Sequence, residues 1–283
     1  MKTQFTAPLL EGLAAGQVIP YLGPAVLGLE GSTAVPSAPE TLVELITAKV
    51  TVPHKIRKNL TAAGQFIENF KHRKTLVGLL SDAFQGEPAP TALHRFLASL
   101  PLPLIVDAWY DATMASAMAG RSDFGQVQGV SRAEHFGDWV HYFHADGTPA
   151  EPAEAAQWTT LLYKPLGSIA PARNFILSDS DYVEVLTEID IQTPIPERVK
   201  EIRSGRNFLF LGCRFRTQLE RTYARQIMKR SSSRHWAVLP EEPTRNEARF
   251  LAEQQIERID LPLAEFVQQL LGNQAAPRRA ALA

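Results

Sequence analysis

The segment Gln17-Val18-Ile19-Pro20-Tyr21-Leu22-Gly23-Pro24-Ala25-Val26-Leu27 constrains the fold more than any other stretch of this chain. Val18 to Leu22 is a short apolar run that stops at a glycine, which reads as a buried strand ending in a sharp turn. Gly23 carries no Cβ, so another backbone or a phosphate can come close to it. Pro24 suits the first position of a helix, where its missing N–H is not needed. Strand, glycine turn and helix start form the layout that places anions on helix N-termini. The same layout serves any strand-to-helix turn of an α/β protein, so alone it assigns no ligand.

Further strands are expected wherever short apolar runs end in turns: near 103–107, 159–163, 207–211, 235–239 and 256–259, with the first near 17–22. Phe124 to Gly129 and Trp139 to His144 read as additional short strands around the turn pair Asp146-Gly147. Residues 149–157 read as a polar loop, and the Gly-, Ser- and Pro-rich residues 28–39 as a mobile one. Leu42, Leu45 and Ile46, then Leu60, Phe66, Ile67 and Phe70, then Leu76, Leu79 and Leu80 repeat at helical period, giving a helical insertion over about 40–99. Helices are also expected after Thr91, from Ser178-Asp179-Ser180-Asp181, from Thr193-Pro194, after Thr244, and over Leu263 to Leu271. Strands alternating with helices imply a parallel sheet of about six strands, covered by helices on both faces. The whole reads as one domain over 1–272, with 273–283 as a frayed tail.

Net charge is −1 over 283 residues, and no block of like charge stands out, so nothing points to nucleic acid. The local clusters His54-Lys55-Ile56-Arg57-Lys58 and Lys229-Arg230 read as solvated helix faces. Cys213 is the single cysteine, which excludes an internal disulfide and a cysteine-built zinc site, and fits a cytoplasmic protein. The N-terminal residues are too weakly apolar for a signal peptide, and no run approaches the ~20 apolar residues that span a membrane.

Five segments, in this order, carry a family likeness. They are Val18-Ile19-Pro20-Tyr21-Leu22-Gly23-Pro24-Ala25-Val26-Leu27, then 93–111 (LHRFLASLPLPLIVDAWYD), 161–169 (LLYKPLGSI), 174–186 (NFILSDSDYVEVL) and 206–215 (RNFLFLGCRF). From about residue 12 to residue 271 the chain resembles the bacterial sirtuin-like domains, the branch related to sirtuin deacylases and NAD-hydrolysing defence proteins. The resemblance implies a Rossmann-like fold with a nucleotide in the cleft: NAD or ADP-ribose, with FAD as the alternative. The cofactor-binding residues it implies are Gly23, Pro24, Ala25, Asp107, Trp109, Gly167, Gly212 and Cys213, all where strands meet their following turns.

The departures bear on chemistry. Against the family loop G-A-G-x-S, this chain has Gly23, Pro24, Ala25, Val26 and Leu27; Pro24 removes an amide and Ala25 replaces a glycine. In the segment similar to T-x-N-Y-D, the asparagine that holds the nicotinamide ribose falls on Trp109, while Tyr110 and Asp111 match. In the segment similar to K-x-H-G, the catalytic histidine falls on Leu166, while Lys164 and Gly167 match. Leucine cannot accept a proton. Asp107 could bond a ribose hydroxyl or cap the next helix, and Trp109 could stack on a flat ring or fill core. His94 reads as packed. His141 and His144 lie on opposite faces of a strand, which argues against a shared metal. Cys213 reads as a small buried side chain.

Two functions compete: a nucleotide-binding protein without sirtuin catalysis, and an NAD-consuming enzyme with an unusual base. The first is favoured because asparagine and histidine are both replaced, and no catalytic residue or metal ligand is assigned. An interaction protein with an empty cleft is a third reading. The expected partner is the nucleotide, with no nucleic acid or membrane and a homo-oligomer left open. On this reading Gly23→Val removes nucleotide binding and spares the fold.

Overall fold

The computed structural model describes residues 6–131, 133–134, 137–191 and 195–280. In chain order the elements are α1 (Thr6–Ala14), β1 (Val18–Leu22), α2 (Pro39–Lys49), α3 (Leu60–Lys71), α4 (Arg73–Phe84), α5 (Ala92–Ala98), β2 (Leu104–Asp107), α6 (Thr113–Ala117) and β3 (Phe124–Gly129). There follow β4 (Val140–His144), β5 (Pro149–Ala150), β6 (Thr160–Lys164), β7 (Gly167–Ser168), β8 (Asn174–Phe175), α7 (Asp179–Ile191), α8 (Glu197–Arg203) and β9 (Asn207–Leu211). The last are α9 (Gln218–Met228), β10 (His235–Val238), α10 (Arg245–Glu253), β11 (Ile256–Ile259) and α11 (Leu263–Ala280). The helix start expected at Thr193-Pro194 lies outside the described residues.

One sheet of nine strands runs β11-β10-β9-β1-β2-β6-β3-β4-β5. Its six expected strands are parallel throughout, including β1 beside β2. The sheet is larger than the expected six. β3 adds in parallel to β6, and β4 and β5 continue as antiparallel edge strands. β5 falls inside the stretch read as a polar loop: a two-residue strand beside Pro149 leaves no periodicity to detect.

Alternate residues of the parallel strands enter opposite layers. Ile19, Tyr21, Leu104, Val106, Leu161, Tyr163, Phe208 and Phe210 pack beneath α7, α8, α9 and α10. Val18, Leu22, Ile105, Leu162, Leu209 and Leu211 pack beneath α1, α5, α6 and α11. Both faces are dry, which is why these strands read as unbroken apolar runs. A third cluster joins Leu42, Ile46, Ile67, Leu76 and Leu80 of the helices between β1 and β2 to Trp109, Tyr110, Phe175 and Leu177. Thr91, Thr217 and Thr244 each cap the helix they precede through reciprocal side-chain and backbone bonds.

Candidate functional site

In an open α/β sheet the ligand crevice lies at the carboxyl ends of the strands, where the strand order reverses. Here that point is the β1/β9 boundary: the chain leaves β1 for β2 on one side and returns through β9 on the other. Gly23 and the pair Gly212-Cys213 meet there, as the sequence implied. A Cβ on Gly23 would lie 2.5 Å from the Gly212 carbonyl oxygen and 2.8 Å from Cys213 Cα. A Cβ on Gly212, whose φ is +68°, would lie 2.8 Å from the Val26 nitrogen. Both glycines are thus used by the chain's own turns pressing on each other.

The amides of the loop are also engaged. Gly23 N–H donates to Leu211 O at 2.9 Å, Ala25 N–H to Gly212 O at 3.2 Å, and Val26 N–H to Gly23 O at 3.3 Å. Pro24 has no N–H and opens the short 3-10 helix Pro24–Gly28. A phosphate would therefore find no free amide over residues 23–26.

A second group sits at the ends of β2 and β6. Register pairs Leu104 with Leu161 and Val106 with Tyr163. One step further, Asp107 and Lys164 leave adjacent strands toward the same face. The Lys164 ammonium donates to Asp107 Oδ2 at 2.7 Å and to the Asp111 carbonyl at 2.7 Å. Lys164 is 1% exposed and Asp107 4%. Burial pushes the Asp107 carboxyl up to about 7, against the opposing pull of Lys164. Around the pair, Asp111 accepts from Thr113 N–H, and Ser168 Oγ donates to the Asp111 carbonyl at 3.2 Å. His94 is buried on α5, and its Nδ1 lies 2.8 Å from Thr91 Oγ1. Burial pulls its imidazole down to about 4, with Asp111 opposing. Lys164, Asp111, Ser168 and His94 were not gathered with Asp107 by the sequence reading. The signal that would have joined Lys164 to Asp107 is strand register, which no single segment contains.

The remaining implied residues are spread over the same edge. Trp109 is buried in the helical cluster, where its indole N–H donates to Pro36 O at 2.7 Å and its ring meets Phe84 edge-on. Gly167, at φ +85°, admits the Asn174 carbonyl oxygen, which would lie 2.1 Å from a Cβ. Leu166 is half-buried between the sheet layer and the helical cluster. Between β3, β6, α7 and α9 the free space shrinks to about 10 Å³ lined by Tyr163, Ile176, Val185 and Tyr223, about enough for one water. Cys213 is buried, and burial raises its thiol far from a thiolate. His141 and His144 lie in β4 beside different acids, Asp138 and Glu154. Among the described residues no group of three His, Cys, Asp or Glu could hold a metal ion, and no helix is long and apolar enough to cross a membrane.

The family model of the SIR2-like domain matches residues 103–259, more than half of the chain. The chain belongs to the SIR2-like domain family. No curated protein sequence matches it. The match covers β2 with Asp107 and Trp109, β6 with Lys164, the Leu166-Gly167 turn, and β9 with Gly212. It makes this a sirtuin-like, NAD-related protein, in a family whose members generally bind NAD. At the β1/β9 boundary the turns at Gly23 and Gly212 touch, and the amides of Gly23, Ala25 and Val26 are bonded within the chain.

Proposed function

We propose that this SIR2-like chain is a non-catalytic module, built on the family scaffold without the family's NAD chemistry. The observation that carries the reading is the state of the groups that could accept a proton. The position resembling the catalytic histidine is Leu166, wedged between two apolar clusters. Asp107, the carboxylate at the end of β2, is held at 2.7 Å by a buried ammonium. A general base must reach its substrate's proton, and Asp107 is buried with its Oδ2 engaged by Lys164 inside the protein. Trp109 supports the same reading, because its indole is committed to Pro36 and the helical core.

NAD, ADP-ribose or FAD would enter the β1/β9 crevice only after the turns at Gly23 and Gly212 part, so binding weaker than the family's own is the expected state. Purified protein, denatured and examined by absorption and mass spectrometry, should release none of the three in stoichiometric amount. A full equivalent of any one would overturn the closed-crevice part of the proposal.

One observation favours a second reading, an NAD-consuming enzyme with Asp107 as base. A carboxyl pushed up to about 7 sits where acid–base catalysts operate. Nicotinamide release by wild type but not by Asp107→Asn would establish it.

A further inference from the structure

At the opposite edge of the sheet a cleft of about 440 Å³ opens between the end of α9, the start of β10 and the end of α10. That volume is in the range that holds small ligands. Arg225, Lys229 and Arg230 stand at its mouth, exposed, and their side chains have no partner among the described residues.

Cations in the last turn of a helix ordinarily compensate its free carbonyls. Here that task is already done by others. The buried Arg203 guanidinium donates to Gln226 O at 2.7 Å and Ile227 O at 2.8 Å, and Ser231 Oγ donates to Met228 O. The three mouth cations are therefore surplus to the helix. The acid in the lining, Glu253, faces Arg249 at 3.5 Å.

Backbone conformation gives an independent sign. Arg230 and Gln255 line the cleft at φ 63° and 54°. Each follows a helix end, where glycine is the usual residue because the left-handed region costs other side chains free energy. Retaining long polar side chains at both positions keeps them over the cleft. The floor is His235, 2% exposed, whose Nδ1 accepts from Phe208 N–H at 3.0 Å. The ring proton of the neutral imidazole is thereby placed on Nε2, the side where Ser231 Oγ lies at 3.5 Å.

We propose that this cleft is a binding site for a phosphate-bearing small molecule of mononucleotide size, its phosphate held by Arg225, Lys229 and Arg230. The site is separate from the β1/β9 crevice and does not depend on the non-catalytic reading.

Calorimetry on the full chain at low ionic strength tests it, with AMP, adenosine and inorganic phosphate as probes. AMP should bind saturably with one site, adenosine should give no saturable heat, and inorganic phosphate should compete with AMP. Arg225→Gln combined with Lys229→Gln should weaken AMP at least about tenfold, as expected when charge-assisted bonds are removed. Arg230→Asn should also weaken it while keeping a residue that tolerates positive φ. Circular dichroism should show both variants folded as wild type, since all three side chains are exposed. Absence of saturable AMP binding overturns the proposal, as does AMP affinity unchanged in the variants. A single-stranded oligonucleotide that binds and is not displaced by AMP would also overturn it in favour of a macromolecular partner.

Discussion

The carbonyl oxygen of Gly212 lies 2.5 Å from the point where a Cβ on Gly23 would sit. The glycine after β1 thus serves the close approach of two turns of the same chain. Its neighbour on that carbonyl is the Ala25 amide, donating at 3.2 Å. The glycine turn read from sequence as a phosphate cradle is, in the folded chain, also the point where two turns of the same chain touch.

This contact changes what Gly23→Val should do. The sequence reading has the variant lose ligand and keep its fold. Backbone atoms at 2.5 and 2.8 Å cannot rotate away as a side chain can. The variant should lose roughly 1–3 kcal/mol of stability, the usual cost of overpacking. Urea unfolding followed by circular dichroism reads this directly, and an unchanged midpoint would show that the two turns separate easily.

The buried pair makes a pH-dependent prediction. Lys164→Met leaves the Asp107 carboxylate without its cation, and breaking a buried pair costs about 3–5 kcal/mol. Burial raises the folded-state carboxyl of Asp107 from 3.8 to about 7 even with Lys164 present. A raised carboxyl favours the fold at low pH, and that stabilisation is lost as pH rises through the folded value. The gap in unfolding free energy between wild type and Lys164→Met should therefore narrow from pH 8 to pH 5.5. A gap that is constant or widens would mean that Asp107 stays ionised throughout.

His94 acts with the opposite sign. Burial lowers its imidazole from 6.5 to about 4. A depressed base stabilises the fold above 6.5, and this is lost as pH falls through about 4; the full shift is worth roughly 3 kcal/mol. His94→Gln keeps an acceptor for the Thr91 amide, which His94 Nδ1 receives at 3.3 Å. The variant should match wild type near pH 7.5 and surpass it near pH 4.5 in urea midpoint. Parallel loss of stability by both proteins would place the acid sensitivity elsewhere.

The parallel strands were legible because both sheet faces are dry. Val18 to Leu22 and Phe208 to Leu211 appear as unbroken apolar runs closed by glycine, and the helix starting at Thr91 was visible too. The site was legible only residue by residue. Asp107, Gly23 and Gly212 lie at the carboxyl ends of β2, β1 and β9, where the sequence put them, but their partners come from other strands. Lys164 reaches Asp107 through inter-strand register, and the Gly212 carbonyl reaches Gly23 across 189 positions of chain. Neither contact leaves a local pattern. β5 escaped for a different reason, being two residues long at an antiparallel edge.

The last prediction concerns chemistry. The unmodified protein should release no nicotinamide from NAD above a heat-inactivated control. General-base catalysis is worth about 10²–10⁴-fold, and poor positioning compounds its loss. Leu166→His alone should not restore turnover, because Trp109 still stands at the position resembling the family asparagine. Adding Trp109→Asn removes an indole that bonds Pro36 and packs against Phe84 and Tyr110. That truncation should cost about 3–5 kcal/mol, as large-to-small changes of buried aromatics do. The double variant is therefore informative only if circular dichroism shows it folded at the assay temperature. Folded and inactive is the expected result. Nicotinamide release by the wild-type chain, abolished by Asp107→Asn in a variant shown to be folded, would overturn it and make Asp107 the base.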